Sequence, residues 1–256
     1  MTLLADRRLS SADVPSAVLP TLRAALQPLV ALDGRVFGYE GLLRGDEPPE
    51  DLFRRAMSEG WAEALDRRAA TLVMKAAATW SARDEQVFVN APAMPVSQFA
   101  AWLSFVIEAA RAAGLDTCRL VVELNENQTG CDLGELAGHL DRARRLGIRF
   151  ALDDVDGGPR CRRFVEVLRP DFVKLDGAVV HALSEPSVQE RVRNLAVLCA
   201  DVGAVLVAEK VETEAQVDAL VDLGLNLFQG WLTGMPVSGS RPSTAGWCRP
   251  PELQVS

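Results

Sequence analysis

Carboxylates and amides recur at the ends of short apolar runs in this chain. Glu40 follows Val36-Phe37-Gly38-Tyr39, Asn90 closes Val87-Phe88-Val89, and Glu123 closes Leu120-Val121-Val122. Asp153 and Asp154 follow Phe150-Ala151-Leu152, Lys174 and Asp176 follow Phe172-Val173, and Glu209 follows Leu206-Val207-Ala208. A polar residue closing a single strand is ordinarily a turn or helix-cap residue. Six in succession carry more weight. Carboxylates gathered at one rim repel one another and rise in pKa unless cations neutralise them. His139 and His181 are the two histidines, and the five cysteines form no C-x-x-C pair. A metal here would take oxygen ligands, which suits magnesium, manganese or calcium. Lys174 amid the acids is either a structural counter-ion or a catalytic group.

Convergence of such distant side chains needs a scaffold that collects strand ends. Strands are expected at Leu26–Leu32, Arg35–Leu43, Gln86–Ala91, Cys118–Leu124, Ile148–Asp153, Phe172–Leu175, Val205–Ala208 and Leu225–Phe228. Helical patterns lie between the later ones. Phe99, Trp102, Val106 and Ala110 step by three or four, giving one apolar face. Asp132 with Glu135, and Thr213 with Gln216, read as capping boxes that open two helices. Alternating strands and helices imply parallel strands with right-handed crossovers. Eight strands suggest closure into a (β/α)8 TIM-type barrel, with an open doubly wound sheet as the alternative. In such barrels the chemistry sits at the C-terminal strand ends. Asp33-Gly34 is a hairpin signal, so the first strand is expected to run antiparallel to the second, which modifies the regular barrel.

The 256 residues, 48% hydrophobic and 24% charged, suit one large α/β domain. Residues 1–19 read as an N-terminal arm or helix, 20–238 as the barrel, and 239–256 as a Ser-, Pro- and Gly-containing tail. No apolar run reaches the length of a membrane span and the start lacks a signal core, so a cytoplasmic protein is expected. A formal charge of −8 disfavours DNA as a partner. A small anionic ligand remains compatible with that charge if bound cations reverse the potential locally.

The motifs also resemble a known family. Tyr39-Glu40-Gly41-Leu42-Leu43-Arg44 resembles the Y-E-A/V/G-L-x-R signature of EAL domains, Phe88-Val89-Asn90 the F-V-N strand, and Glu123-Leu124-Asn125-Glu126 the E-L-T-E segment. Asp153-Asp154 matches the start of D-D-F-G-T-G, and Asp171 to Asp176 is similar to D-x-I/V-K-I/L-D. Ala208-Glu209-Lys210-Val211-Glu212-Thr213 resembles A-E-G-V-E-T, Gln229-Gly230-Trp231 resembles Q-G-Y/F/W, and Gln27-Pro28-Leu29-Val30 fits the opening Q-P-I-V. These stand in family order over roughly residues 20 to 238.

The resemblance implies a phosphodiesterase that linearises cyclic-di-GMP to pGpG with one or two Mg2+ or Mn2+ ions, and with Ca2+ as an inhibitor. It assigns Glu40, Asn90, Glu123 and Asp153 to the first metal, and Asp153 with Asp154 to the second. It gives Lys174 the orientation of the attacking water, with Glu209 assisting. Glu126 would anchor the loop after Asp154 and Glu212 would support Glu209. Gln27, the Leu42 backbone, Arg44 and Gln229 would contact the dinucleotide. Control would come through a homodimer, a regulatory protein partner or a longer parent protein.

Three positions depart from the pattern. Gly41 replaces alanine, a small-for-small change expected to be tolerated. Lys210 replaces glycine, and its side chain is expected to point away from the mouth because strand neighbours alternate. Val155-Asp156-Gly157-Gly158-Pro159-Arg160-Cys161-Arg162 replaces the usual loop after Asp-Asp, with Pro159 placed to begin the next helix. Arg160, Arg162 and Arg163 read first as a solvated helix face, otherwise as an attractor of phosphates. The altered loop keeps open a catalytically weak or inactive domain, acting as a cyclic-di-GMP receptor or a protein-interaction module. An enolase-type barrel lyase fits the carboxylates alone but not the ordered motifs.

Overall fold

The computed structural model describes residues 14–16, 18–125, 132–244 and 247. Eight strands close a barrel in chain order: β1 (Arg23–Ala31), β2 (Val36–Arg44), β3 (Gln86–Asn90), β4 (Leu120–Asn125), β5 (Arg149–Val155), β6 (Phe172–Leu175), β7 (Val205–Ala208) and β8 (Leu227–Phe228). Strand β1 runs antiparallel to both β2 and β8, and every other pairing is parallel. The expected modified (β/α)8 barrel is therefore what forms, and the open doubly wound sheet is excluded.

Several strand bounds differ from expectation for local reasons. Asp116 caps a 3-10 turn over Thr117–Arg119 by accepting from the Cys118 N–H, so β4 starts at Leu120 and not at Cys118. Strand β8 shrinks to Leu227–Phe228 because the chain leaves α8 through a left-handed Gly224 with φ of +90°. Strand β5 runs on to Val155, with a break in register between Leu152 and Val155 that bulges Asp153-Asp154 toward the mouth.

The outer layer comprises α1 (Pro49–Glu59), α2 (Ala62–Trp80), α3 (Val96–Ala113), α4 (Leu133–Arg144), α5 (Pro159–Leu168), α6 (Gly177–His181), α7 (Pro186–Val202) and α8 (Glu214–Asp222). The periodic face of α3 is buried, as its spacing implied. Asp132 accepts from the N–H groups of Gly134 and Glu135 at the head of α4, and Thr213 with Gln216 forms the complete capping box of α8. Pro159 occupies the first turn of α5, where its missing N–H costs nothing. Cys118, Cys161 and Cys199 are free thiols; Cys131 and Cys248 lie outside the described residues. Among the described residues, no helix is long and apolar enough to cross a membrane.

Two cores result. One fills the space between strands and helices. The other plugs the barrel with Leu29, Phe88, Val121, Ala151, Phe172, Val207 and Leu227, where Phe88 and Phe172 meet edge to face at 5.3 Å. That plug is the floor of the site. Side chains two apart on a strand share a face. One step further toward the mouth, Phe88 gives way to Asn90, Val121 to Glu123, and Ala151 to Asp153. Likewise Phe172 gives way to Lys174, Val207 to Glu209, and Leu227 to Gln229. Strand β1, running the other way, reaches the same level from Leu29 at Gln27, which pairs with Glu40.

Candidate metal centre

Lys174 sits at the middle of this ring, fully buried. Its Nζ lies 2.6 Å from Glu123 Oε1, 2.7 Å from Glu209 Oε1, 3.0 Å from Asp153 Oδ1 and 3.3 Å from Glu40 Oε2. Four carboxylates from four strands therefore share one ammonium. Glu40 is held further by Asn90 Nδ2, which donates to Oε1 at 3.0 Å, and by Gln229 Nε2, which donates to Oε2 at 2.6 Å. Gln229 also donates to Gln27 Oε1 at 3.3 Å, and Gln27 Nε2 donates to the Gly234 carbonyl at 3.2 Å.

The electrostatics record an excess of acid. Burial pushes Glu123 well above the usual carboxylate range, with repulsion from Glu40 adding to it against the pull of Lys174. Burial likewise raises Asp153, helped by Glu40 and Asp154 and opposed by Lys174. Glu209 is pushed up to about 8 by burial, with Lys174 opposing and Asp153 and Glu40 reinforcing. Burial also acts on Glu40, but Lys174, Gln229 and Asn90 together outweigh it and hold this carboxyl low. The ammonium of Lys174, although desolvated, is fixed in its charged form by Asp153, Glu123, Glu209 and Glu40.

One lysine does not balance this set, and the donors left over fit a divalent cation. Buried Glu123 Oε2 has no hydrogen-bond partner, and Glu123 Oε1 and Asp153 Oδ1 have only the shared Lys174 ammonium. Buried oxygens of that kind are costly unless a charge partner completes them. At the rim, Asp153, Asp154 and Glu209 each offer an oxygen within 4.8 Å of the others. An all-oxygen set of carboxylates with a neutral amide beside it is the chemistry of magnesium, manganese or calcium.

Beside the cluster opens a cleft of about 700 Å³, to which Leu42, Arg44, Phe53, Asp66, Asn90 and Asn125 contribute. Arg44, the last residue of β2, is half-buried and donates to its neighbour's carbonyl, Leu43 O, at 2.8 Å. Sequence reasoning missed Asp66. Burial, with the charge of Glu63 adding to it, pushes its carboxyl up to about 7. The available signal was an acid on the Ala- and Leu-rich inner face of α2.

The remaining expected site residues fall outside this constellation. Glu126 lies outside the described residues. Glu212 is exposed, with its carboxylate 3.8 Å from His181 Nε2. Lys210 does turn outward, its Nζ 3.8 Å from Asp176, but strand alternation is not the cause. Strand β7 ends at Ala208, and Lys210 takes a left-handed φ of 51°, the backbone a glycine would adopt there without strain. Arg160, Arg162 and Arg163 form an exposed face of α5, with Arg162 paired to Glu166 at 3.1 Å.

A closed barrel with oxygen ligands and a buried lysine at its C-terminal rim defines a barrel metal site. The family follows from comparison: the EAL domain family matches residues 14–236, and the chain belongs to it. The cyclic di-GMP phosphodiesterase PdeL of Escherichia coli strain K12 is 33% identical over 129 residues, which is 50% of this chain and 36% of that one. The chain spans well under half the length of the curated relatives it matches. Among solved structures, the PaMucR phosphodiesterase in complex with c-di-GMP superposes with a TM-score of 0.78 at 24% identity, covering 86% of this chain and 94% of that one. A standalone EAL protein from Vibrio cholerae O395, in its c-di-GMP bound form, gives 0.75 at 23%, covering 87% and 94%. At that identity the likeness concerns the fold.

Proposed function

We propose that this chain is a metal-dependent phosphodiesterase that opens one phosphodiester bond of cyclic-di-GMP to give linear pGpG. The observation that carries the reading is the convergence of Glu40, Glu123, Asp153 and Glu209 on Lys174, with Asp154 completing an acidic rim beside a nucleotide-sized cleft. Membership of a family whose relative PdeL is named a cyclic di-GMP phosphodiesterase supports it.

Glu40, Asn90, Glu123 and Asp153 would hold one ion and Asp153 with Asp154 a second. Mg2+ or Mn2+ would be the productive ions, and Ca2+, larger and less demanding in geometry, inhibitory. Bound cations supply neutralisation of the phosphate and acidification of the attacking water. Lys174 Nζ orients that water. Glu209, whose carboxylate lies 2.7 Å from Lys174 Nζ, would assist by accepting the water's proton. Arg44 grips a phosphate with two N–H groups, and Gln27 and Gln229 form the polar edge of the floor. The apolar cleft wall suits the face of a guanine, and Asp66 suits the two donors on its edge.

The catalytic domain is taken as residues 20–238. Free cysteines fit a reducing, cytoplasmic setting. Control through a homodimer or a regulatory partner belongs to the same proposal. The receptor reading drew on the altered loop after Asp154; the meeting of Asp153, Asp154 and Glu209 favours catalysis instead. The test is pGpG formation with Mg2+ or Mn2+, beside binding in Ca2+, with Lys174→Ala and Glu40→Ala as controls. Product that vanishes in both variants is expected. Tight nucleotide binding without product over hours would establish the receptor.

A further inference from the structure

We propose that Asn125 is a positioning residue that sets the orientation of the Asp154 carboxylate for the second cation, a deepening that rests on the phosphodiesterase reading above. Asp154 occupies the break in register of β5 and takes a left-handed φ of 54°. A non-glycine residue in that region is strained, and it persists when surrounding contacts determine it. The regular strand around it no longer dictates where its side chain points. The contact that does so comes from the neighbouring strand. Asn125, the last residue of β4, pairs in register with Asp153, and its Nδ2 donates to Asp154 Oδ2 at 2.8 Å.

The chemistry of an amide suits this task. One N–H bond fixes the rotation of the carboxylate and adds no negative charge to a rim that already carries Asp153, Asp154 and Glu209. An aspartate at position 125 would repel Asp154. The threonine of the E-L-T-E pattern has a single, shorter donor.

The loop beyond is braced separately. Asp156 Oδ1 accepts from the Gly158 N–H at 2.7 Å. Gly157, at φ of +77°, lies so close under the Arg191 stem that an added Cβ would stand 3.1 Å from its Cγ. Those contacts hold the turn into α5, whereas the link from Asp154 to the rest of the rim runs through Asn125.

The experiment is calorimetric titration of Mn2+ into chelator-stripped full-length chain, for the parent and for Asn125→Ala, Asn125→Leu and Asn125→Thr. The parent is expected to take up two ions. Alanine and the near-isosteric leucine should leave the tighter ion unchanged and weaken the other by roughly ten-fold or more. In both, kcat should fall in step with the lost occupancy of the weaker ion and recover at raised Mn2+; threonine should recover part of the loss. Two ions bound with parental affinities in the alanine and leucine variants would overturn the proposal and leave the phosphodiesterase reading intact. A parent that takes up fewer than two ions would sink the two-cation reading and this proposal with it.

Discussion

Replacing Lys174 by methionine isolates the charge balance on which the metal centre depends. Methionine keeps the length of the side chain and removes its ammonium, leaving Glu40, Glu123, Asp153 and Glu209 without the group that now lies within 3.3 Å of each. Removing one partner of a buried ion pair costs about 3–5 kcal/mol. For a chain of this size that corresponds to roughly 10 °C in melting midpoint. The loss should depend on pH. Without the lysine, the folded-state pKa values of Glu123, Asp153 and Glu209 rise further above their unfolded values, and that of Glu40, now held low, rises as well. The folded variant then holds protons that the unfolded chain does not, and its stability falls as pH rises. The deficit should therefore be largest near pH 8 and shrink toward pH 5. Added manganese supplies the missing positive charge, so it should stabilise the variant more than the parent. Thermal unfolding followed by circular dichroism, with chelator and then with Mn2+, reads all of this. A variant that melts with the parent in chelator at pH 8, or an equal gain from manganese in both, would refute the reasoning.

Asp66→Asn should raise the KM for cyclic-di-GMP, since losing one partner of a buried polar contact costs about 1–3 kcal/mol, and leave kcat little changed. With the Asp66 carboxyl pushed up to about 7, the parent's KM should rise as pH falls below 7 while the asparagine variant stays flat, measured by initial rates from pH 6 to 8.5. The same carboxyl makes the parent lose stability as pH rises from its unfolded pKa through 7, because the folded state gives up a proton that burial had retained; urea midpoints of Asp66→Asn should lack that slope. Gly41→Ala would bring a Cβ to 2.1 Å from Val73 Cγ1 and should destabilise by about 1–3 kcal/mol, with Val73→Ala added in the double variant restoring most of it. Lys210→Gly relieves a left-handed lysine at φ of 51° and should stabilise by about 1 kcal/mol in equilibrium unfolding, its exposed pairing with Asp176 contributing little.

The rim was legible in the sequence because strand periodicity is geometric. A polar residue two places beyond an inward apolar one must share its face, and Phe88-x-Asn90, Val121-x-Glu123 and Val207-x-Glu209 write that rule out in letters. The hairpin at Asp33-Gly34 likewise announced the antiparallel first strand. Asp66 was hidden because its significance depends on which wall of α2 faces the cleft, a tertiary fact. Lys210 was placed correctly for a reason that fails, since the chain has already left the strand when it reaches that position.

Gly41 shows how a departure from a family pattern can be absorbed elsewhere. The alanine methyl of the name motif has no room here, because Val73 on α2 fills that volume. Interiors packed to crystal density leave no space for both, so the glycine and the valine are one choice made at two positions. The loop after Asp154 follows the same logic. It has lost the usual aromatic and serines, yet Asp156 caps its own turn, Arg191 covers Gly157, and Asn125 reaches across from β4 to Asp154. Each of these partners lies on an element that the barrel fixes independently, or within two residues of the group it holds. A divergent loop can therefore keep its acid at the rim, because the position of Asp154 is set by the strands beside it more than by the letters that follow it.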